Sequence, residues 1–173
     1  MFNLKLQTDP RWVNIAEKNL EEILTDHAYC EQKAANFAIS IVIGFPEKSK
    51  LVSEMIKIAQ EEISHFKMVH DLIIRYGLKL GKERKDKYVN DLKKNFKKGV
   101  DRDKHLVNKL LQAAIIEARS CERFKLLSET LKDKTLAVFY KKLMISEANH
   151  YTTFLKLARK YGKNKKEVEL KWE

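Results

Sequence analysis

The chain has 173 residues, with 35 Lys and Arg against 24 Asp and Glu, a formal net charge of +11. Hydrophobic residues make up 44% of it, which excludes a disordered chain at this charge and suffices for one domain with a real core. Five Gly and two Pro are too few for the turns of an all-β domain of this size.

The opening residues hold no apolar run long enough for a secretion signal, and no stretch of about 18 apolar residues occurs. Neither export nor a membrane span is expected, and the chain reads as cytoplasmic. Cys30 and Cys121 lie far apart in apolar helical context and are expected to be reduced core thiols, not a disulfide.

In chain order, Asp9-Pro10 is a helix start, an acid at the cap followed by Pro at the first helical position. The helical pattern runs from there to Ile43, with a break near Asn14, and Gly44-Phe45-Pro46 ends it. A second helix is predicted from about Lys48 to Tyr76. Leu51, Val52, Met55, Ile56, Ala59, Ile63, Phe66, Val69 and Ile73 are spaced to share a buried face, and Gly77 is a natural stop. Residues 79–105 form a basic crossover with eleven Lys/Arg and five Asp/Glu. Val89, Leu92 and Phe96 can anchor a short amphipathic helix there, ended by Gly99. A third long helix is predicted from about Asp103 to Leu131. Lys132-Asp133-Lys134 makes a tight turn, and a fourth helix runs to Tyr161 before Gly162. Residues 162–173 are a basic tail. Two antiparallel hairpins joined by one long crossover describe a ferritin-like four-helix bundle, all-α and a single domain over residues 1–173. The two hairpins echo each other in length and in the polar residues at their middles.

Those polar residues carry the chemistry. Glu62-Ile63-Ser64-His65 and Glu147-Ala148-Asn149-His150 are both Glu-x-x-His, one midway along each second helix. The i, i+3 spacing puts a carboxylate and an imidazole on one helix face, able to share a metal. The motif alone is weak. Its weight comes from lying on the apolar stripes, where an ionised carboxylate is costly unless paired or metal-bound. Each first helix must also offer a Glu at matching height. Helix one offers Glu31. Helix three offers Glu117 and Glu122. Glu31 precedes Glu62 by 31 residues, Glu117 precedes Glu147 by 30, and Glu122 precedes it by only 25. The echo between Cys30-Glu31 and Cys121-Glu122 favours Glu122 instead. We take Glu117 as the expected ligand and Glu122 as an ion-pair partner or a residue that orients a ligand. Four Glu and two His suit a carboxylate-bridged di-iron or di-manganese site.

Four blocks together resemble the tRNA 2-methylthio-N6-isopentenyladenosine hydroxylases, the MiaE family. They are Thr25-Asp26-His27-Ala28-Tyr29-Cys30-Glu31-Gln32-Lys33-Ala34-Ala35, Glu61-Glu62-Ile63-Ser64-His65-Phe66, Ile116-Glu117-Ala118-Arg119-Ser120-Cys121-Glu122-Arg123-Phe124 and Ser146-Glu147-Ala148-Asn149-His150-Tyr151. The resemblance covers roughly residues 8–160, and the block from Glu117 to Phe124 is its most specific part. It implies a non-haem di-iron monooxygenase acting on the isopentenyl side chain of the modified adenosine beside the tRNA anticodon. Two iron ions, O₂ as co-substrate, and a reductase or ferredoxin as electron donor are implied with it. Its implied metal ligands here are Glu31, Glu62, His65, Glu117, Glu147 and His150. A short tail after Gly162 and a Lys-rich crossover depart from the family pattern.

His27 sits four residues before Glu31 and, like Glu122 and Arg119, is a candidate for orienting a ligand; the plainer reading of His27 is a core-edge histidine bonded to a carboxylate. Arg119 and Arg123 are otherwise expected in ordinary i, i+3 or i, i+4 pairs. Lys93, Lys94, Lys97 and Lys98 are candidates for tRNA phosphate contact, since residues 79–105 and 156–173 hold +10 of the net +11. The competing readings are a ferritin- or rubrerythrin-like protein that stores iron or removes peroxide, and a non-catalytic RNA-binding bundle. The sequence has no rubredoxin-type Cys-x-x-Cys, and a basic surface concentrates iron cations poorly.

Overall fold

The computed structural model of the chain describes residues 4–84, 101–162 and 168. The fold is all-α, with no strand among the described residues. Helix α1 spans Trp12–Lys18, α2 Leu20–Gly44, α3 Ser49–Arg75, α4 Arg102–Thr130 and α5 Lys134–Tyr161. The long helices agree with the sequence prediction to within two residues at most ends. The break in the first helix falls at Asn19 and not near Asn14. Asn19 Nδ2 donates to Ile15 O at 2.8 Å, sharing that carbonyl with its own backbone N–H at 3.1 Å, and the next helix starts at Leu20. The crossover helix expected around Val89–Phe96 lies outside the described residues.

The chain divides into two compact units, Asn14–Lys85 and Met1–Val13 with Asp86–Glu173. The first contains the α2/α3 hairpin and the second the α4/α5 hairpin, and the two helices of each hairpin pack on one another. In α3 the buried positions include Leu51, Met55, Ile58, Glu62, His65, Val69 and Leu72. These advance by alternating steps of four and three, the spacing of a coiled-coil seam. In α5 the corresponding set is Leu136, Tyr140, Leu143, Glu147, His150, Phe154 and Leu157, each 85 residues after its counterpart. The first helices repeat the same way. Leu24, His27, Ala28, Glu31, Ala35, Ala38 and Ile41 of α2 are buried. Leu110, Ala113, Ala114, Glu117, Cys121, Phe124 and Leu127 of α4 are buried 86 residues on. The two-fold echo in the sequence is therefore a repeat of one packing register.

This seam corrects the predicted α3 face. Ile56 and Ile63 are 43% and 53% exposed, and Ile58 and Leu72 are buried in their place. Positions 56 and 63 each follow a seam residue by one, about 100° around the helix. Each buried Leu, Ile or Met of the seam contributes roughly 1.5–3 kcal/mol, so the apolar layers above and below hold the two polar layers in place.

Helix ends follow from local chemistry. Asp101 caps α4 by accepting from Lys104 N–H at 3.0 Å, and Asp133 caps α5 by accepting from Thr135 and Leu136 N–H. Gly77 ends α3 in the left-handed region, with φ at 67°. Leu78 N–H donates to Ile73 O and Gly77 N–H to Ile74 O, which satisfies carbonyls the helix leaves open. The segment after it is laid along α2. Gly81 N–H donates to Thr25 Oγ1 at 3.1 Å, Tyr29 donates to Gly81 O at 3.1 Å, and Arg84 pairs with Glu22 at 2.8 Å.

Candidate metal centre

Glu31, Glu62 and His65 lie on facing seams of one hairpin and are 5%, 1% and 8% exposed. Each offers a ligand atom within 4.8 Å of the others. His65 Nδ1 is 3.5 Å from Glu31 Oε2 and 3.5 Å from Glu62 Oε2. The other oxygen of Glu31, Oε1, is 2.6 Å from His27 Nε2, which is also buried.

The α4/α5 hairpin repeats the triad. Glu117, Glu147 and His150 are buried, with ligand atoms within 4.8 Å of one another. His150 Nδ1 stands 3.5 Å from Glu147 Oε2, the same separation as in the first hairpin. A separation of 3.5 Å is long for an N–H···O bond, which favours about 2.7–3.2 Å. It is short enough for both atoms to bind one cation at the usual distances of about 2.0–2.2 Å. Two carboxylates and an imidazole are a hard donor set that fits iron or manganese. The residues of each hairpin therefore fit a metal ion on chemistry as well as burial.

The MiaE family model, described as tRNA-(MS2IO6A)-hydroxylase, matches residues 2–171. The chain belongs to the MiaE family. It is 37% identical, over 90% of its length and 74% of the relative's, to the tRNA 2-(methylsulfanyl)-N(6)-isopentenyladenosine(37) hydroxylase of Pseudomonas putida. The protein of the same name from Salmonella typhimurium is 27% identical, over 90% of this chain and 75% of that one. Among solved structures, a Synechococcus protein with aldehyde deformylating oxygenase activity is similar at a TM-score of 0.90 and 31% identity. That likeness covers 98% of this chain and 83% of the other, and the fold class is the ferritin-like one expected from the two hairpins.

The repeat register separates Glu117 from Glu122. Glu117 stands in the place of Glu31, while the residue in the place of Ala35 is Cys121. Glu122 lies one step around the helix and binds elsewhere. It accepts from Thr8 N–H at 3.0 Å, from Thr8 Oγ1 at 2.9 Å and from Arg119 at 2.6 Å. Burial pushes the Glu122 carboxyl up, but the Thr8 bonds and the Arg119 guanidinium outweigh it and hold it below its ordinary value. Arg119 also donates to Thr8 Oγ1, and the Arg123 guanidinium sits over the Trp12 ring at 5.3 Å. These residues fasten the N-terminal segment to α4. The role of Thr8 has no sequence signal, since it precedes the first helix and belongs to no periodic pattern.

Cys121 is buried, and its thiol donates to Met144 O at 3.3 Å. Burial first, and the nearby Glu147 charge second, push its pKa up to about 11. Cys30, expected in the core, is exposed, because it follows the buried seam at Ala28 and precedes it at Glu31. Lys93, Lys94, Lys97 and Lys98 lie outside the described residues. Among the described residues, no helix is long and apolar enough to cross a membrane.

Proposed function

We propose that this chain is a non-haem di-iron monooxygenase that hydroxylates the isopentenyl side chain of the modified adenosine next to the tRNA anticodon. The observation that carries the reading is the repeated buried triad, Glu31, Glu62 and His65 in one hairpin and Glu117, Glu147 and His150 in the other, in a chain of the MiaE family. In this reading each hairpin's triad would hold one of the two irons. Four carboxylates would balance the charge of two divalent ions, which removes the cost of burying them. Two irons held there would supply O₂ reduction, one oxygen atom entering a C–H bond as hydroxyl and the other leaving as water, with two electrons from a reductase or ferredoxin and two protons.

The chain itself supplies position and exclusion. The Glu-x-x-His spacing presents carboxylate and imidazole together from one rigid helix. Apolar seam residues on either side, Ile58 and Val69 in α3 and Leu143 and Phe154 in α5, are buried and keep water from the layer where the reaction occurs. The net charge of +11 suits a polyanionic substrate bound in a salt-sensitive way, with Lys93, Lys94, Lys97 and Lys98 as phosphate contacts. The work would be done in the cytoplasm, where its tRNA is found.

Nucleoside mass spectrometry of tRNA from cells with and without the gene tests the reading. Loss of the hydroxylated isopentenyl adenosine, restored by the gene, is expected. An unchanged nucleoside profile overturns the tRNA assignment. About two irons per chain after anaerobic loading are expected of the purified protein, and none overturns the di-iron assignment.

A further inference from the structure

The second helices of the two hairpins share a buried register but not a surface. Helix α5 carries six Lys and Arg, namely Lys134, Lys141, Lys142, Lys156, Arg159 and Lys160, and its only acid is the buried Glu147. All six cations are exposed. At about 100° per residue they fall within an arc of about 100°, on the side of the helix turned away from Glu147 and His150. The same arc holds Val138, Ile145, Asn149 and Thr152, which are exposed and uncharged. Helix α3 repeats the buried positions, yet it carries four Lys and Arg and, besides Glu62, three acids. Two of its lysines are neutralised locally, Lys57 by Glu54 at 3.3 Å and Lys67 by Asp71 at 2.6 Å. The surface of α5 has no acid with which to do the same. Lys156 even precedes Arg159 and Lys160 by three and four residues, spacings at which like charges destabilise a helix.

We infer that the exposed face of α5 is a docking surface for the phosphate backbone of tRNA. The row from Lys134 to Lys160 is about 40 Å long at 1.5 Å per residue. Its cations form two groups, one on either side of the level of Glu147 and His150, with Lys142 and Lys156 about 21 Å apart along the axis. A bound polyanion turns this repulsion into attraction and releases its own counterions. Complementary protein surfaces match charge for charge, and an acidic protein presents both signs. A face with six cations and no acid matches a partner of one sign, which a nucleic-acid backbone is. Phosphate contacts fix position and carry no base sequence. Because the row points away from the ligands on its own helix, it grips the body of the tRNA and not the base that is modified. The inference rests on the tRNA reading above and adds which described surface makes the grip.

Fluorescence anisotropy titration of the full-length, metal-loaded chain with an unmodified tRNA transcript, repeated over a range of salt, tests it without turnover. Lys141→Gln, Lys142→Gln and Lys156→Gln combined remove three phosphate contacts. The slope of log affinity against log salt should become shallower by about 2–3, and binding near 0.1 M salt should weaken about 10–100-fold. Lys50→Gln, Lys57→Gln and Lys67→Gln combined take the same charge from α3 and should bind within twofold of wild type. An α5 variant within twofold of wild type at an unchanged slope overturns the inference. So does an equal loss in the α3 variant, because net charge alone would then explain binding. Loss of affinity for an acidic ferredoxin with tRNA affinity kept also overturns it, and makes the face a protein interface. Should the triple α5 variant fold poorly by circular dichroism, Lys142→Gln and Lys156→Gln singly should each reduce the slope by about 1, and an unchanged slope in both overturns the inference. An unchanged nucleoside profile in cells, with α5-dependent tRNA binding intact, refutes the hydroxylase reading and leaves the docking surface standing.

Discussion

The α2/α3 and α4/α5 hairpins place the same three ligand types at the same seam positions, yet each surrounds them differently. In both, the imidazole Nδ1 stands 3.5 Å from the Oε2 of the Glu three residues before it. That constancy follows from one helix geometry applied twice. The surroundings are not repeated. Ala35, Ala38 and Met55 in the first hairpin correspond to Cys121, Phe124 and Tyr140 in the second. The bulkier set packs into an aromatic cluster, with Phe124 and Phe139 each 5.3 Å from Tyr140 between ring centroids. In the first hairpin an imidazole, that of His27, is bonded to the first-helix Glu. Only the second, among the described residues, has its α-helix clamped to the N-terminal segment through Thr8, Glu122 and Arg119. Ligand geometry is the same in the two halves, while part of the packing around it differs.

The largest expected effects test what the halves share. Glu62→Ala in one hairpin and His150→Ala in the other should each abolish turnover and deplete bound iron. Activity surviving either change would show that one triad suffices, which breaks the equivalence. Reversing charge at Lys93, Lys94, Lys97 and Lys98 to Glu should weaken tRNA binding by about 10–100-fold at moderate salt and leave iron content unchanged. Unchanged binding removes that segment from the interface. Lys166→Ala should do little.

Smaller effects test what differs. Glu117→Ala should remove metal, whereas Glu122→Ala should keep it and destabilise the fold by roughly 1–3 kcal/mol, the usual range for losing hydrogen bonds to a charged group. Metal analysis and denaturant melts of the two variants distinguish these roles. Glu122 also carries a pH signature. Its folded pKa lies below the ordinary value, so its contribution is fully present above the unfolded carboxylate value of about 4.3 and is lost as pH falls through the lower folded value. Protection against hydrogen exchange near Thr8, corrected for the intrinsic pH dependence of exchange, should fall over that acid range in wild type, and Glu122→Gln should lack that acid-linked step. The smallest effect is on thiol reactivity. Exposed Cys30 should react with a disulfide reagent at neutral pH while buried Cys121, with its pKa near 11, stays protected until unfolding.

Helices, hairpins and the two Glu-x-x-His motifs were legible in the sequence because they depend on local spacing. Apolar period, capping acids such as Asp133 and stops such as Gly77 act within a turn or two, and the predicted ends fell close to the observed ones. Charge was legible too, since counting needs no structure. The fine position of the seam was not. One residue separates buried Met55 from exposed Ile56 and Cys121 from Glu122, and composition is nearly blind to 100° of rotation; packing against a partner helix decides it. The bond of His27 to Glu31 was suggested by i, i+4 spacing, but its length and the oxygen it takes depend on burial and side-chain direction. Thr8 on Glu122 joins residues 114 apart in the chain, a contact that no local pattern specifies. Sequence by itself determined which groups are present and how each helix presents them, because those are short-range properties. Tertiary structure alone decided which of them meet, which oxygen is occupied and which cysteine is buried, because those depend on the neighbours that packing supplies.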